Sequence, residues 1–113
     1  MKRKTIRNHL DFLSTPNDPL VANYYFIIRM KPMVKKDARY GIIAAKRTFR
    51  FAVQRNRAKR MLRDWISFNE DLMLPDMDYV FIARSAIFQC ERDVGRRKMK
   101  NQLRRISKCK KNS

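Results

Sequence analysis

Residues 46–63 read KRTFRFAVQRNRAKRMLR and contain eight Lys or Arg, no Asp or Glu, and a single Asn that lies between two arginines. From Phe51 onward the apolar residues recur at helical spacing, which predicts an amphipathic helix. The inner face of this helix, centred on Ala58, would carry Phe51, Met61, Leu62, Trp65 and Ile66. The opposite face would carry Asn56, Lys59, Arg60 and Arg63. So much positive charge on one helix predicts an acidic partner.

The whole chain shares this positive charge. Its 113 residues include 28 Lys and Arg against 10 Asp and Glu, which gives a formal net charge of +18, while 44% of the residues are hydrophobic. That apolar content is sufficient for a folded core, and the charge indicates a polyanionic partner, with nucleic acid the leading candidate. The length predicts one domain, residues 1–113, ending in a basic tail over about 108–113.

The sequence predicts no association with a membrane. No segment approaches the roughly 20 apolar residues that a membrane-spanning helix needs. The N-terminal residues MKRKTIRNHLDF lack the apolar region of a signal peptide. The two cysteines, Cys90 and Cys109, are too far apart for a metal-binding knuckle and are expected to be reduced thiols. We therefore expect a cytoplasmic protein.

The first third of the chain predicts a helix followed by strands. Asn8 can cap a short helix over about 6–14. Residues 20–31 are rich in β-branched and aromatic side chains and predict one strand, or a short strand that runs into a longer one. Alternation along this segment places Tyr24, Phe26 and Ile28 on one face. It places Tyr25, Ile27 and Arg29 on the face that meets solvent or ligand.

The rest of the chain completes a mixed fold. The residues PMVKKDA predict a loop, and RYGIIAAK after them predicts a second strand in an antiparallel hairpin with the first. The apolar run MDYVFIARS, residues 77–85, is typical of a strand covered on both faces. A last helix is predicted from about Glu91 to Ser107, with Gly95 near its inner face and Met99, Leu103 and Ile106 inward. This order predicts a single α+β or α/β sandwich.

The chain offers few residues for acid–base or metal chemistry. It has one histidine, His9, and a turn at the start of a strand explains Asp76 and Asp78. A metal site or a hydrolytic centre would need a third ligand or base, and the sequence contains no glycine-rich phosphate-binding motif. We therefore predict no catalytic residue, no metal ligand and no bound cofactor in this chain.

The basic helix carries the functional prediction. Lys and Arg neutralise phosphates largely irrespective of sequence, and Arg adds bidentate contacts and stacking. Asn56 adds a neutral donor and acceptor for bases or 2′-hydroxyls. A merely solvated helix face is the ordinary alternative, but such a face usually intersperses Glu with Lys, and here no acid occurs between Asp37 and Asp64. The pattern therefore favours contact with RNA or DNA.

Residues 45–65, AKRTFRFAVQRNRAKRMLRDW, resemble the signature of the protein subunit of bacterial ribonuclease P. The RNR element of that signature falls on residues 55–57, its following basic pair on 59–60 and its leading basic pair on 46–47. Two weaker matches are MDYVFIARS, which carries Arg84, and the early dipeptide of Asp11 and Phe12.

The resemblance implies both a fold and a function. The fold is a two-layer α+β sandwich of order αβββαβα, ribosomal protein S5 domain 2-like, with a left-handed βαβ crossover against the usual preference. The function is that of an accessory subunit of a ribonucleoprotein endoribonuclease whose RNA supplies the catalytic groups and requires Mg²⁺. The implied partners are the ribonuclease P catalytic RNA and precursor tRNA, whose 5′ leader is removed. No obligate protein partner is implied.

The resemblance also implies two sets of site residues. Those that would bind the catalytic RNA are Lys46, Arg47, Arg50, Arg55, Asn56, Arg57, Lys59, Arg60 and Arg63. Those that would line a cleft for the substrate's leader are Phe12, Ile27, Arg29, Arg47 and Asn56. For Phe12 and Ile27 a place in the apolar core is the alternative.

Four positions depart from the family pattern. Pro16 stands where many members have a second aromatic residue, and Arg29 where an aromatic residue is common. Arg50 and Phe51 stand where small residues often precede the Ala-Val dipeptide.

Two other functions share the charge pattern. One is a small basic ribosomal RNA-binding or assembly protein without nuclease function. The other is a DNA-binding helix-turn-helix protein, for which the sequence lacks the companion helix.

Overall fold

The computed structural model describes residues 4–5, 19–32 and 39–111, which form a mixed sheet and two long helices. The strands are β1 (Lys4–Thr5), β2 (Leu20–Ala22), β3 (Phe26–Pro32), β4 (Arg39–Ile43) and β5 (Met77–Ala83). The helices are α1 (Ala52–Phe68) and α2 (Arg92–Lys111), with short 3₁₀ turns at Glu70–Leu72 and Ser85–Gln89. The α+β class predicted from the sequence is thus confirmed.

Parts of the predicted order fall beyond these ranges. The helix expected over about 6–14 lies outside the described residues, as does the loop expected over 32–38 except for Pro32, which is the last residue of β3. At the other end, α2 continues to Lys111, so that its last turn overlaps the segment predicted to be a basic tail. Neither helix in the described ranges is long and apolar enough to cross a membrane.

β5 is the central strand of the sheet. The strand order is β1-β4-β5-β3-β2, with β5 parallel to β4 and antiparallel to β3. All its residues except Ile82 are buried, as its continuous apolar run predicted. Such a strand is most stable with a neighbour on each edge and cover on both faces. The predicted hairpin between residues 20–31 and 39–46 is therefore wrong, because β5 lies between β3 and β4.

A tight turn separates β2 from β3. The side-chain oxygen of Asn23 accepts hydrogen bonds from the backbone N–H groups of Tyr25 (2.7 Å) and Phe26 (3.1 Å). This arrangement lets the chain leave one strand and enter the next. Of the two predicted forms of this segment, a short strand followed by a longer one is confirmed. Tyr24 lies in the turn and is exposed, whereas Phe26 and Ile28 are buried on one face of β3 as predicted.

The core lies between one face of the sheet and the two helices. α1 and α2 contribute side chains that are at most 1% exposed, namely Ala58, Leu62, Trp65, Ile66, Met99, Leu103 and Ile106. These match the predicted inner faces. The prediction for Phe51 is wrong, because its side chain is 61% exposed. Phe51 has an extended backbone (φ −100°, ψ 142°) and precedes α1, so helical spacing does not set its direction.

Asp78 has a structural role within the sheet. Its fully buried carboxylate accepts hydrogen bonds from the backbone N–H (2.7 Å) and the Nη2 (3.1 Å) of Arg39. A buried carboxylate is stable only with such partners, and these join β4 to β5. Asp76 lies in the turn before β5 and is exposed.

α1 and α2 approach each other closely at Gly95. A Cβ atom added there would lie 2.7 Å from Cδ2 of Trp65 and closer still to two other atoms of the ring. The same indole contacts Phe26 of β3, with the ring centroids 5.8 Å apart. Trp65 therefore joins both helices to the sheet, and only glycine leaves room for it at position 95.

We expect Gly95→Ala to lower the free energy of unfolding by about 1–3 kcal/mol, because the added methyl group displaces the indole. The loss should occur even though Ala favours helix over Gly by about 1 kcal/mol. Urea denaturation followed by the fluorescence of Trp65, the single tryptophan, measures it. Asn101→Ala, at an exposed position of the same helix, is the control and should not destabilise the protein. Equal stability of the two variants would contradict this packing.

Candidate nucleic-acid interface

Three of the cations predicted from the sequence lie in a loop at one edge of the sheet. Because β4 and β5 are parallel, their carboxyl ends meet at this edge. β3 begins there too, since Phe26 lies opposite Ala83. Residues 44–51, called the basic loop below, connect the end of β4 to α1. The cations of this loop, all exposed, are Lys46, Arg47 and Arg50.

The basic loop is fixed to its own helix. Phe49 is buried, and its ring meets that of Phe88 edge to face, with centroids 5.5 Å apart. The Nη1 of Arg55 donates hydrogen bonds to the backbone carbonyls of Phe49 (3.0 Å) and Arg50 (3.2 Å). Arg55, predicted as a direct ligand for RNA, thus directs its guanidinium toward the protein's own backbone and holds the loop in place.

The outer face of α1 carries the remaining cations. Asn56, Arg57, Arg60 and Arg63 are exposed and Lys59 is half-buried, as the helical pattern predicted. The guanidinium carbon of Arg57 lies 5.0 Å from the centroid of Phe88, the ring that Phe49 also contacts. A cation held over an aromatic face in this way loses part of its freedom. Phe88 therefore links the basic loop to the outer face of α1.

The acid that ends the basic run is paired with α2. Asp64 accepts hydrogen bonds from Arg96 Nη2 (3.0 Å) and from the Nε (3.3 Å) and Nη2 (3.4 Å) of Arg92. The hydrogen bond from Arg96 is the main cause that holds the pKa of the Asp64 carboxyl below its ordinary value. Because α2 supplies these partners, Asp64 neutralises charge on α2, and the outer face of α1 keeps its positive charge.

The second face of the sheet carries two residues of the predicted leader cleft. Ile27 and Arg29 of β3 lie opposite Ile82 and Val80 of β5, on the side away from α1 and α2. Both are half-buried, and Ile27 is not part of the core between sheet and helices, the alternative considered for it. Ile27 is one residue from the edge where the basic loop begins. Phe12, the third predicted member, lies outside the described residues.

The sequence prediction missed two aromatic residues of this surface. Phe88 lies in a 3₁₀ turn, where no periodic pattern marks it. Phe51 was assigned to the core by extending the helical spacing one residue too far. The sequence signal that could have identified both residues is an aromatic side chain within a stretch that contains no Asp or Glu.

Cys90 is a free cysteine. Its side chain is buried, and burial raises the pKa of the thiol, which lowers its reactivity. In the part of the chain that the structure describes, no three His, Cys, Asp or Glu side chains come together as a metal site would require.

The fold and this surface define a small, strongly basic α+β protein with a cationic helix beside a half-buried sheet face. Comparison with known proteins narrows that class. The family model described as Ribonuclease P matches residues 1–107. The chain belongs to the ribonuclease P protein family.

Individual relatives and solved structures agree with this membership. The ribonuclease P protein component of Lactobacillus delbrueckii subsp. bulgaricus is 38% identical over 85 residues, which cover 74% of this chain and 70% of that protein. The corresponding protein of Chromobacterium violaceum is 27% identical over 92 residues, covering 81% and 75%. The Staphylococcus aureus RNase P protein structure superimposes with a TM-score of 0.69 at 25% identity, covering 97% of both chains. The Thermotoga maritima protein, at 24% identity and a TM-score of 0.66, covers 79% of this chain and 84% of its own, and supports the fold alone.

Arg55 is expected to stabilise the fold as well as contribute charge. Arg55→Ala should lower the free energy of unfolding by about 1 kcal/mol, because two backbone carbonyls lose a charged donor that is partly exposed to water. Urea denaturation measures the change. Arg60→Ala removes the same charge from an exposed position of α1 and is the matched control, expected to change stability by less than about 0.5 kcal/mol. If Arg60→Ala proves as destabilising as Arg55→Ala, Arg55 does not position the loop.

Proposed function

We propose that this protein binds the catalytic RNA of ribonuclease P and the 5′ leader of precursor tRNA, and so promotes endonucleolytic removal of that leader. The observation that carries the proposal is the family match over residues 1–107, in a chain whose α1 has an outer face of cations without an intervening acid. In this proposal the RNA supplies the catalytic groups, and Mg²⁺ belongs to the RNA-based active site. This chain contributes binding and positioning.

The basic loop and the outer face of α1 are the proposed contact with the catalytic RNA. Exposed Arg and Lys side chains neutralise phosphates and release counterions, which makes such binding tight and dependent on salt. The residues assigned to direct contact are Lys46, Arg47, Arg50, Asn56, Arg57, Lys59, Arg60 and Arg63. Arg55 acts chiefly by donating hydrogen bonds to the backbone carbonyls of Phe49 and Arg50, which fixes the position of the basic loop and its cations relative to α1.

The second sheet face is the proposed contact with the single-stranded leader. A half-buried Ile27 offers an apolar surface, and the guanidinium plane of Arg29 can stack on a base. Phe12 is assigned to the same cleft from the resemblance alone. Arg47 and Asn56 are assigned to both RNAs from the resemblance, and the basic loop that carries Arg47 leaves the sheet at the edge next to Ile27. One continuous basic edge would then hold both RNAs side by side.

Finer features of the family are also proposed for this chain. They are the ribosomal protein S5 domain 2-like classification and a left-handed crossover through α1. β4 and β5 are adjacent and parallel and are connected through α1, which supports a βαβ crossover. Its left hand is proposed from the resemblance, against the usual preference. A cytoplasmic location, where precursor tRNA is processed, and the absence of an obligate protein partner complete the proposal.

Asn56 and Arg57 test the assignment of α1. Arg57→Ala should weaken binding to ribonuclease P RNA about tenfold, the effect of losing one charged hydrogen bond. It should also reduce the slope of log affinity against log salt by about 1. Asn56→Ala should weaken binding without changing that slope, because its amide is neutral. Electrophoretic mobility shifts at several salt concentrations measure both, and thermal melting verifies that the variants remain folded.

Arg105→Ala is the matched control, because it removes an exposed arginine from α2. Its RNA affinity should stay within about threefold of the unsubstituted protein's, as for a peripheral charge. Unchanged affinity in both α1 variants would contradict the assignment. An unlabelled ribosomal RNA fragment should compete poorly. If it displaces the complex as well as ribonuclease P RNA does, the ribosomal alternative gains support.

A further inference from the structure

Phe51 is an exposed aromatic side chain within the acid-free basic segment of residues 46–63. Its side chain is 61% exposed, and that of Val53, two residues later, is 75% exposed. A single exposed apolar side chain is ordinary, but an exposed aromatic face within a cationic surface is the kind of group on which an unpaired base stacks. Phe68, at the other end of α1, is 59% exposed and lies under the guanidinium of Arg96, 4.4 Å from its centroid, whereas the guanidinium of Arg50 lies farther from the Phe51 ring, at 5.7 Å.

The backbone of Phe51 is held firmly in place. Its N–H donates to Oε1 of Gln54 (3.3 Å). Its carbonyl accepts hydrogen bonds from the N–H groups of Gln54 (3.0 Å) and Arg55 (3.2 Å). Two residues earlier, the buried Phe49 anchors the loop in the core. With its backbone fixed on both sides, the ring can receive a ligand at little cost in conformational entropy.

The surroundings of the ring select the ligand. The guanidinium carbon of Arg50 lies 5.7 Å from the Phe51 centroid, and residues 46–63 contain no acid. A ligand that suits both the aromatic ring and the arginine has a planar aromatic part, which can stack on Phe51, and a negatively charged part, which can bind the guanidinium of Arg50. An unpaired nucleotide has both features.

We propose that Phe51, flanked by Arg50, is a stacking platform for one unpaired base of the catalytic RNA. This inference rests on the proposed function. The catalytic RNA is chosen because Phe51 opens α1, whose outer face is assigned to that RNA, whereas the leader is assigned to β3 on the second sheet face.

Substitution of Phe51 separates stacking from bulk and charge. Phe51→Leu keeps an apolar side chain and the net charge but removes the aromatic face, and should weaken binding to ribonuclease P RNA by about fivefold or more. Phe51→Trp preserves the face and should bind within about twofold of the unsubstituted protein. Phe68→Leu, an equally exposed aromatic at the opposite end of α1, is the matched control and should not change the affinity. Thermal melting of each variant accompanies the binding measurements.

A photoreactive phenylalanine analogue at position 51 identifies the nucleotide in the assembled holoenzyme with precursor tRNA. A cross-link to an unpaired nucleotide of the catalytic RNA is the expected result, and a cross-link to the leader would overturn the assignment. Equal affinities of Phe51→Leu and the unsubstituted protein would overturn the platform while leaving the proposed function intact. If the unsubstituted protein binds ribonuclease P RNA no better than ribosomal RNA, the proposed function itself fails.

Discussion

The position of Trp65 between Gly95 and Phe26 is the contact on which the rest of the arrangement depends. The Trp65 indole packs against Phe26 of β3 on one side and against α2 at Gly95 on the other, and so it fixes α1 relative to both the sheet and α2. Once this inner face is fixed, the direction of the outer face follows from helical geometry. The cations of α1 point away from the core because Ala58, Leu62, Trp65 and Ile66 are committed to it.

Two carboxylates are paired with arginines that do not belong to the outer face of α1. Asp78 is buried and bonded to Arg39 between two strands, and Asp64 is bonded to Arg92 and Arg96 across the helix interface. These carboxylates stabilise the fold and do not offset the cations of α1. Aromatic rings have a similar structural use, since Phe88 contacts both Phe49 and Arg57. Like charges are thereby held at fixed positions on a rigid helix, which reduces the entropy lost when a polyanion binds.

The sequence was sufficient to predict features that depend on local periodicity. The inner faces of α1 and α2 and the double burial of β5 follow from spacing and apolar content, and the structure agrees. Strand order does not follow from such patterns, because pairing between β4 and β5 joins segments separated by the whole of α1. The inward role of Arg55 was also beyond prediction, since it depends on the path of the loop carbonyls. The inward placement predicted for Phe51 failed because helical spacing applies only to residues inside the helix, and Phe51 precedes α1.

The central claim is that the RNA supplies the catalytic groups and the protein supplies binding and positioning. One assay tests this claim directly. Precursor tRNA would be incubated at low Mg²⁺ with the cognate ribonuclease P RNA alone, with the purified protein alone, and with both. Low Mg²⁺ is informative because the RNA then depends most on basic side chains to screen its phosphates. We expect cleavage at the mature 5′ end only when both components are present. Cleavage by the protein alone, or no stimulation of the RNA by the protein, would contradict the account.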